Sequence, residues 1–562
     1  MILSLWLVAL PQAINEQIHK SGISKKDISI YIKEAGARGK VVASLNAVKT
    51  RTPASVIKVL TTYAAVLKLG FNYRWQTKFY TTGVLKNGVL SGDLLIKGFG
   101  DPSLNDKDLV KIVSYIRAEG IRKIQGNIVI DRTYFKVGNK DSSGFDENPY
   151  SAYNAMPDAM MFNERVSTVC VNPKTNSVYK KNADGSYKVI NKLQRVNKPC
   201  RGRYSWPGVK IDKSEAMPKV ILKGKISKRC GKRNICKVLT KPYKSFYYAL
   251  KDKMKEKGVT VSGHMKLRKI PQNAIELFTY YSDSLEKIIS KTAKKSNNLY
   301  ARHLLLLLGA KTYGAPATLQ KGRDAVVKIL SSRGALGAGV LRIDNGSGLS
   351  RVAKMNAKLL ATMYDNAYDR YGQRWMNTLS VAGVDGTIKR RFRGTVVRNR
   401  AWMKTGTLRR VKNIGGYVKN RAGKRYTVVI LVNSTKAKYR GAKLQNEIIK
   451  WLVNGSAKPS KKSTSKTRVT HKAKKPTHVN HKKKRTVSTK STKYYYVQVG
   501  SFKTKPSQKY LGKISKLGLP YKVKKTNIYK VLVGPYKKEF TARKKLSVVR
   551  QKLNKNAFIS KQ

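Results

Sequence analysis

Acidic side chains are scarce in this chain of 562 residues: 29 Asp and Glu stand against 118 Lys and Arg, a formal net charge of +89. That balance says little about fold, but it draws anionic polymers and surfaces by long-range attraction. Nucleic acid, anionic lipid and anionic wall polymer all suit such a field. Cysteine is nearly absent as well. Cys170, Cys200, Cys230 and Cys236 are the only four, and they fall within 67 residues of one another. No CxxC pair or adjacent histidine supports a zinc site. One or two disulfides in an oxidising compartment are expected instead, in any of three pairings. The six histidines are His19, His264, His303, His471, His478 and His481. None has a catalytic or metal-binding context, so a Ser-His-Asp hydrolase and a metal centre both fall away, and no cofactor is called for. GFGDPS at 98–103 lacks the GK[ST] of a phosphate loop. Long apolar runs are missing too. The opening MILSLWLVALPQA is too short to span a bilayer as a helix of about 20 residues. It reads as a secretory leader over 1–13 without a basic start, so the chain is expected to be exported to the periplasm or cell envelope.

What is present divides into three regimes. Residues from about 20 to 454 show helical stretches, alternating strands and glycine-marked turns, and 41% of the whole chain is hydrophobic, enough for several cores. Residues 455–493 hold 14 Lys or Arg, no acid and almost nothing apolar. That composition predicts a disordered basic linker. Residues 494–562 return to globular patterning. YYYVQVGSF reads as a strand, PSQKYLGKISKLG as a helix, LPYKVKKT and IYKVLVGPY as a hairpin pair, TARKKLSVVRQKLN as a helix and NAFIS as a strand. The order is βαββαβ.

The chemistry lies in three short segments. In RTPASVIKVLTTYAAVLKLG at 51–70, Thr52 reads as an N-cap and Pro53 as the first helical residue. Ser55 then falls in the first turn, where unpaired N–H groups can hold an oxyanion. Lys58 follows on the same face, within reach of the hydroxyl. A serine needs a nearby base to become a nucleophile, and a desolvated lysine is one. Alone this S-x-x-K means little in so lysine-rich a chain; Ser463 to Lys466 is another. Two further segments change its weight. AKKSNNLYARHLLLLLG at 293–309 sets Ser296-Asn297-Asn298 at a corner between helices, and AWMKTGTLRR at 401–410 carries the one K-T-G, Lys404-Thr405-Gly406, in a strand-like run.

S-x-x-K, S-x-N and K-T-G in that order resemble the signature of penicillin-binding proteins and serine β-lactamases. Ser55 and Ser296 are 241 positions apart, with GDLLIKGFGDPSL at 92–104 and IQGNIVIDRTYF at 124–135 between them and VAGVDGTIKRRF at 381–392 beyond. In this the chain resembles the D-Ala-D-Ala carboxypeptidase/endopeptidase family of low-molecular-mass penicillin-binding proteins with inserted domains. The resemblance implies an α/β (α+β) architecture: a β-lactamase-like transpeptidase domain from 20–76 and 276–454, with two smaller domains in 77–275. It implies catalytic roles for Ser55, Lys58, Ser296, Asn298 and Lys404, substrate contacts by Thr405, Gly406 and Thr407, and an oxyanion hole from the N–H groups of Ser55 and Thr407. Lys404 is expected to help keep Lys58 neutral by like-charge repulsion. One departure is Asn297, where relatives often have Asp. The terminal block resembles the SPOR domain through YYVQVGSF at 495–502 and IYKVLVGPY at 528–536. This implies binding to peptidoglycan glycan strands, with Tyr496, Gln498 and Phe502 as ligand candidates and a septal or peripheral membrane association. The expected partners are peptidoglycan stem peptides and glycan strands, with β-lactams as covalent inhibitors and no nucleic acid. A silent wall-binding scaffold and a β-lactamase are the competing readings. The intact motifs oppose the first, and the inserted architecture and glycan-binding tail oppose the second.

Overall fold

The computed structural model describes residues 10–182 and 184–455, and 494–561 apart from 503, 505, 516, 526, 527, 537, 538, 555 and 556. The chain divides into two units at Lys461/Lys462. The expected linker lies outside the described residues except at Gly455, as does the expected leader over 1–9. The rest of that leader is not separate from the fold. Helix Gln12–Ser21 begins inside it and buries Ile14 and Ile18.

The run TVVILV at 427–432 has no polar alternation, which calls for a strand covered on both faces. It forms the strand Arg425–Asn433 within a six-stranded antiparallel sheet. The sheet order is Ser380–Val381, Ala401–Leu408, Val411–Lys419, Arg425–Asn433, Ile28–Glu34, Val41–Leu45. Alternate side chains point to opposite faces. Val428, Ile430 and Val432 pack with Ile14, Ile18, Leu444 and Ile448, the last two from helix Ala442–Asn454. Val429 and Leu431 pack with Val59, Tyr63 and Leu360 from helices Lys58–Leu69 and Ala357–Met376. Each such side chain contributes on the order of 1.5–3 kcal/mol when fully buried. Helix Asn298–Tyr313 is apolar almost all round: Leu304, Leu305, Leu307 and Leu308 are fully buried within that helical layer, and Leu306 is buried against Phe135 and Ala159 of the insertion.

The inserted region is built on a second sheet, ordered Met265–Leu267, Ile128–Asp131, Leu94–Gly98, Arg74–Thr81, Ile275–Ser284, with helices Asp106–Ala118 and Pro242–Glu256 completing its core. Its first and last strands pair with each other, from Ser284 opposite Arg74 to Ile275 opposite Thr81. The strands that open and close the insertion thus lie side by side. A smaller lobe within the insertion has two three-stranded sheets around Val169, Val171, Val220 and Leu222. Cys200 and Cys230 form a disulfide there, while Cys170 is a buried thiol and Cys236 an exposed one.

The second unit has the expected βαββαβ order: Tyr495–Phe502, Gln508–Ser515, Tyr521–Lys525, Tyr529–Tyr536, Glu539–Lys552 and Phe558–Lys561. Its sheet runs Tyr521–Lys525, Tyr529–Tyr536, Tyr495–Phe502, Phe558–Lys561. Val497, Val499, Val531 and Val533 meet Leu511, Ile514, Ala542 and Val549 in one core.

Candidate active site

Ser55 sits in a tight 3-10 turn, Ala54–Ile57, that leads into helix Lys58–Leu69. The expected cap by Thr52 does not form. Two asparagines from the sheet hold this entry instead. Asn413 Nδ2 donates to the carbonyls of Thr52 and Pro53, each at 2.9 Å, and Asn433 Oδ1 accepts from the Thr52 amide at 2.7 Å. The turn puts Ala54 at φ +49°, in the left-handed region. Two glycines make room for it. A Cβ on Gly406 would lie 2.7 Å from the Pro53 carbonyl oxygen and 3.1 Å from the Ser55 nitrogen, and one on Gly348 would lie 2.0 Å from the Ala54 oxygen.

Lys58 is fully buried. Its Nζ lies 2.8 Å from Ser55 Oγ and 2.7 Å from Asn298 Oδ1, and it also reaches the Ser347 carbonyl. Burial holds its pKa well below the ordinary lysine value, and the charges of Lys404 and Arg302 act in the same direction. Asn298 Nδ2 donates to the Tyr153 carbonyl at 3.0 Å, which turns Oδ1 toward Lys58. That oxygen and the Ser347 carbonyl can only accept. The Ser55 hydroxyl is the one partner of Lys58 that can also donate.

Ser296, at φ +55°, turns the chain between helices Leu285–Lys294 and Asn298–Tyr313, so the expected corner is present. Lys404, on the strand Ala401–Leu408, donates to Ser296 Oγ at 3.0 Å and to the Thr405 carbonyl at 2.7 Å. Burial lowers its pKa to about 7. Thr405 Oγ1 donates to Thr387 Oγ1 at 2.9 Å. Thr387 belongs to the VAGVDGT segment, which an ion pair of 2.7 Å between Lys294 and Asp385 ties to the corner. Thr407 is exposed on the same strand. Sequence reasoning missed Ser347, Asn413, Thr387 and the Tyr153 carbonyl. The local signals among them were the glycine–serine run GSGLS at 346–350 and the VAGVDGT segment that holds Thr387.

His303 is a helix residue with one ring nitrogen, Nε2, left without a hydrogen-bond partner. It is buried, its Nδ1 lies 2.9 Å from the Gly100 carbonyl, and burial lowers its pKa to about 4.

A model of the D-Ala-D-Ala carboxypeptidase 3 (S13) family matches residues 10–454. The chain belongs to this family. The S13 enzyme also carries a SPOR domain over residues 491–561. Among its relatives, the D-alanyl-D-alanine carboxypeptidase DacB of Haemophilus influenzae is 26% identical over 414 residues, covering 70% of this chain and 83% of that protein. A D-alanyl-D-alanine carboxypeptidase of an Actinomadura species is 27% identical over 398 residues, covering 68% and 73%. The crystal structure of penicillin binding protein 4 from Haemophilus influenzae shares the fold, with a TM-score of 0.66 at 22% identity, covering 78% of this chain and 99% of that one. The chain is thus a serine-type D-Ala-D-Ala carboxypeptidase of the cell wall with a peptidoglycan-targeting module. No helix among the described residues is long and apolar enough to cross a membrane.

Of the three ligand candidates in the SPOR domain, Tyr496 is buried and Gln498 and Phe502 are half-buried. Tyr496 is 6% exposed, with Lys522 Nζ 4.2 Å above its ring and donating to its hydroxyl at 2.8 Å. Phe502 lies edge-on to Tyr510 of the first helix, 4.9 Å between centroids. An irregularity between Gln498 and Gly500 breaks the alternation that would have set Phe502 beside Gln498. Gln498 is half-buried and donates to Ser501 Oγ at 2.8 Å.

Proposed function

We propose that Ser55 is the nucleophile and Lys58 the base of an acyl transfer on peptidoglycan stem peptides. The observation that carries this is the buried Lys58 Nζ lying 2.8 Å from Ser55 Oγ, the one of its three partners that can also donate. Ser55 Oγ attacks the carbonyl carbon of the penultimate D-Ala as its proton moves to Lys58 Nζ. The oxyanion is held by the N–H groups of Ser55 and Thr407. The C–N bond then breaks, and the leaving amine takes its proton through Lys58 and Ser296. Water attacks the resulting ester, frees the acid and returns the proton to Ser55. Lys404 and Thr405 bind the terminal carboxylate of the substrate. When the departing amine belongs to a second stem peptide, the same steps cut a cross-link, so one site serves both carboxypeptidase and endopeptidase action. A β-lactam acylates Ser55 by the first half of this sequence. The enzyme works outside the cytoplasmic membrane, and its SPOR domain holds it on glycan strands. Gln498 and the half-exposed Phe558 paired beside it supply contacts on the open sheet face.

Incubation with a labelled penicillin tests the mechanism. Wild type is expected to form a covalent adduct that Ser55→Ala does not. A folded wild type without an adduct would remove the mechanism. Pull-down on intact and on amidase-treated peptidoglycan, with and without residues 494–562, tests the tail; equal binding by both forms removes its role.

A further inference from the structure

The corner that carries Ser296 and Asn298 is held in part from the inserted region. Tyr153 supplies the carbonyl that orients Asn298. A second hold comes from Asn163-Glu164-Arg165, where three consecutive non-glycine residues are left-handed, at φ +47°, +52° and +59°. Such backbone persists only where the surroundings over-determine it, and it gathers at functional sites. Here each side chain is anchored. Asn163 exchanges hydrogen bonds with Asp106, at 3.1 Å from its Nδ2 and 3.4 Å to its Oδ1. Arg165 is buried, pairs with Asp141 and donates to the Met156 carbonyl at 3.1 Å. Glu164, between them, reaches across to the catalytic part. Its Oε2 accepts from Asn297 Nδ2 at 2.9 Å and its Oε1 accepts from the Tyr300 hydroxyl at 2.8 Å.

Asn297 cannot turn its amide over to suit another partner. Its Oδ1 already caps the helix by accepting from the Tyr300 amide at 3.2 Å. Tyr300 is itself buried, and its hydroxyl is held protonated by burial and by the Glu164 charge. The carboxylate therefore meets two donors whose orientation is fixed, and it grips the residue between Ser296 and Asn298.

We propose that Glu164 is a positioning residue of the active site, delivered from the insertion to set the Ser296–Asn298 corner against Lys58 and Lys404. This accounts for an amide at 297 where family resemblance suggests Asp. The negative charge at this place comes from residue 164, and a carboxylate at 297 would face another one.

The inference rests on the acylation mechanism above, and a reciprocal exchange tests it. Glu164→Gln removes the charge and keeps an acceptor for only one of the two donors, Asn297 Nδ2 or the Tyr300 hydroxyl, and Asn297→Asp sets carboxylate against carboxylate. Each single variant is expected to slow acylation by labelled penicillin by about tenfold, the loss of one charge-assisted hydrogen bond at the corner. The double variant matches donor to acceptor again, with the new glutamine oxygen still accepting from Tyr300. Its acylation rate is expected within about threefold of wild type. Melting curves on all four proteins give the folded fraction to which each rate is referred. Wild-type acylation in Glu164→Gln, or a double variant as slow as the slower single, overturns the inference. A wild type that forms no adduct instead removes the mechanism beneath it.

Discussion

Gly406→Ala probes the contact between the K-T-G strand and the Ser55 turn. The added Cβ would stand 2.7 Å from the Pro53 carbonyl oxygen and 3.1 Å from the nitrogens of Ser55 and Val56. All three are backbone atoms of the Ser55 turn, so no flexible side chain can swing aside. Ordinary van der Waals contact begins near 3.4 Å. The K-T-G strand and the turn must therefore part by roughly 0.5–1 Å, a misplacement that costs on the order of 10- to 100-fold in rate. That corresponds to about 1.4–2.7 kcal/mol of activation free energy. Overpacking of a rigid contact also destabilises by about 1–3 kcal/mol. The assay is the second-order rate of acylation by labelled penicillin, measured beside thermal unfolding. Gly231→Ala serves as control, because a Cβ there meets nothing within 4 Å and its φ is not positive. Gly406→Ala that acylates at the wild-type rate and melts at the wild-type temperature would refute this account of the turn.

Three further outcomes follow from the same geometry. Lys404 has a folded pKa of about 7 against an ordinary 10.5, so between those values the unfolded chain holds the extra proton and stability rises with pH. Urea unfolding from pH 7 to 10 is expected to show that slope in wild type and a flatter one in Lys404→Met; parallel curves would contradict it. Asn413→Ala leaves the Thr52 and Pro53 carbonyls without their donor, and is expected to lose about 1–3 kcal/mol in denaturant unfolding together with acylation rate. In the smaller lobe, a thiol-reactive dye is expected to label Cys236 in the native protein and Cys170 only after denaturation. The Cys200–Cys230 bridge spans a sequence separation of 30, worth about 3–4 kcal/mol by loop entropy, so replacing both by Ser lowers thermal stability where Cys236→Ser does not.

The parts of the site that were legible in the sequence are those whose neighbours in space are neighbours in the chain. Ser55 and Lys58 share a helical face, Ser296 and Asn298 share a corner, and Lys404 to Gly406 share a strand. What stayed hidden is joined across long separations: 289 residues between Lys58 and Ser347, 360 between Pro53 and Asn413, 133 between Glu164 and Asn297. No periodicity records such pairs. The cap expected at Thr52 failed for the same reason, since asparagines from distant strands take over its backbone groups. In the tail the order of elements was readable from alternation, but not the cover that Lys522 lays over Tyr496. Nor did any local pattern record that the insertion's first and last strands pair with each other.

That pairing of Arg74–Thr81 along Ile275–Ser284 brings the entrance and exit of roughly two hundred residues side by side. Topologically the insertion is a cassette: a short turn between the two strands would close the catalytic fold without it. A miniaturised enzyme designed on that basis should nevertheless disappoint. The cassette also carries Tyr153 and Glu164, which grip Asn298 and Asn297 from outside. A segment that is separable by its connections has become inseparable by its contacts, so its excision leaves the three motifs present and the corner between them without two of its holds.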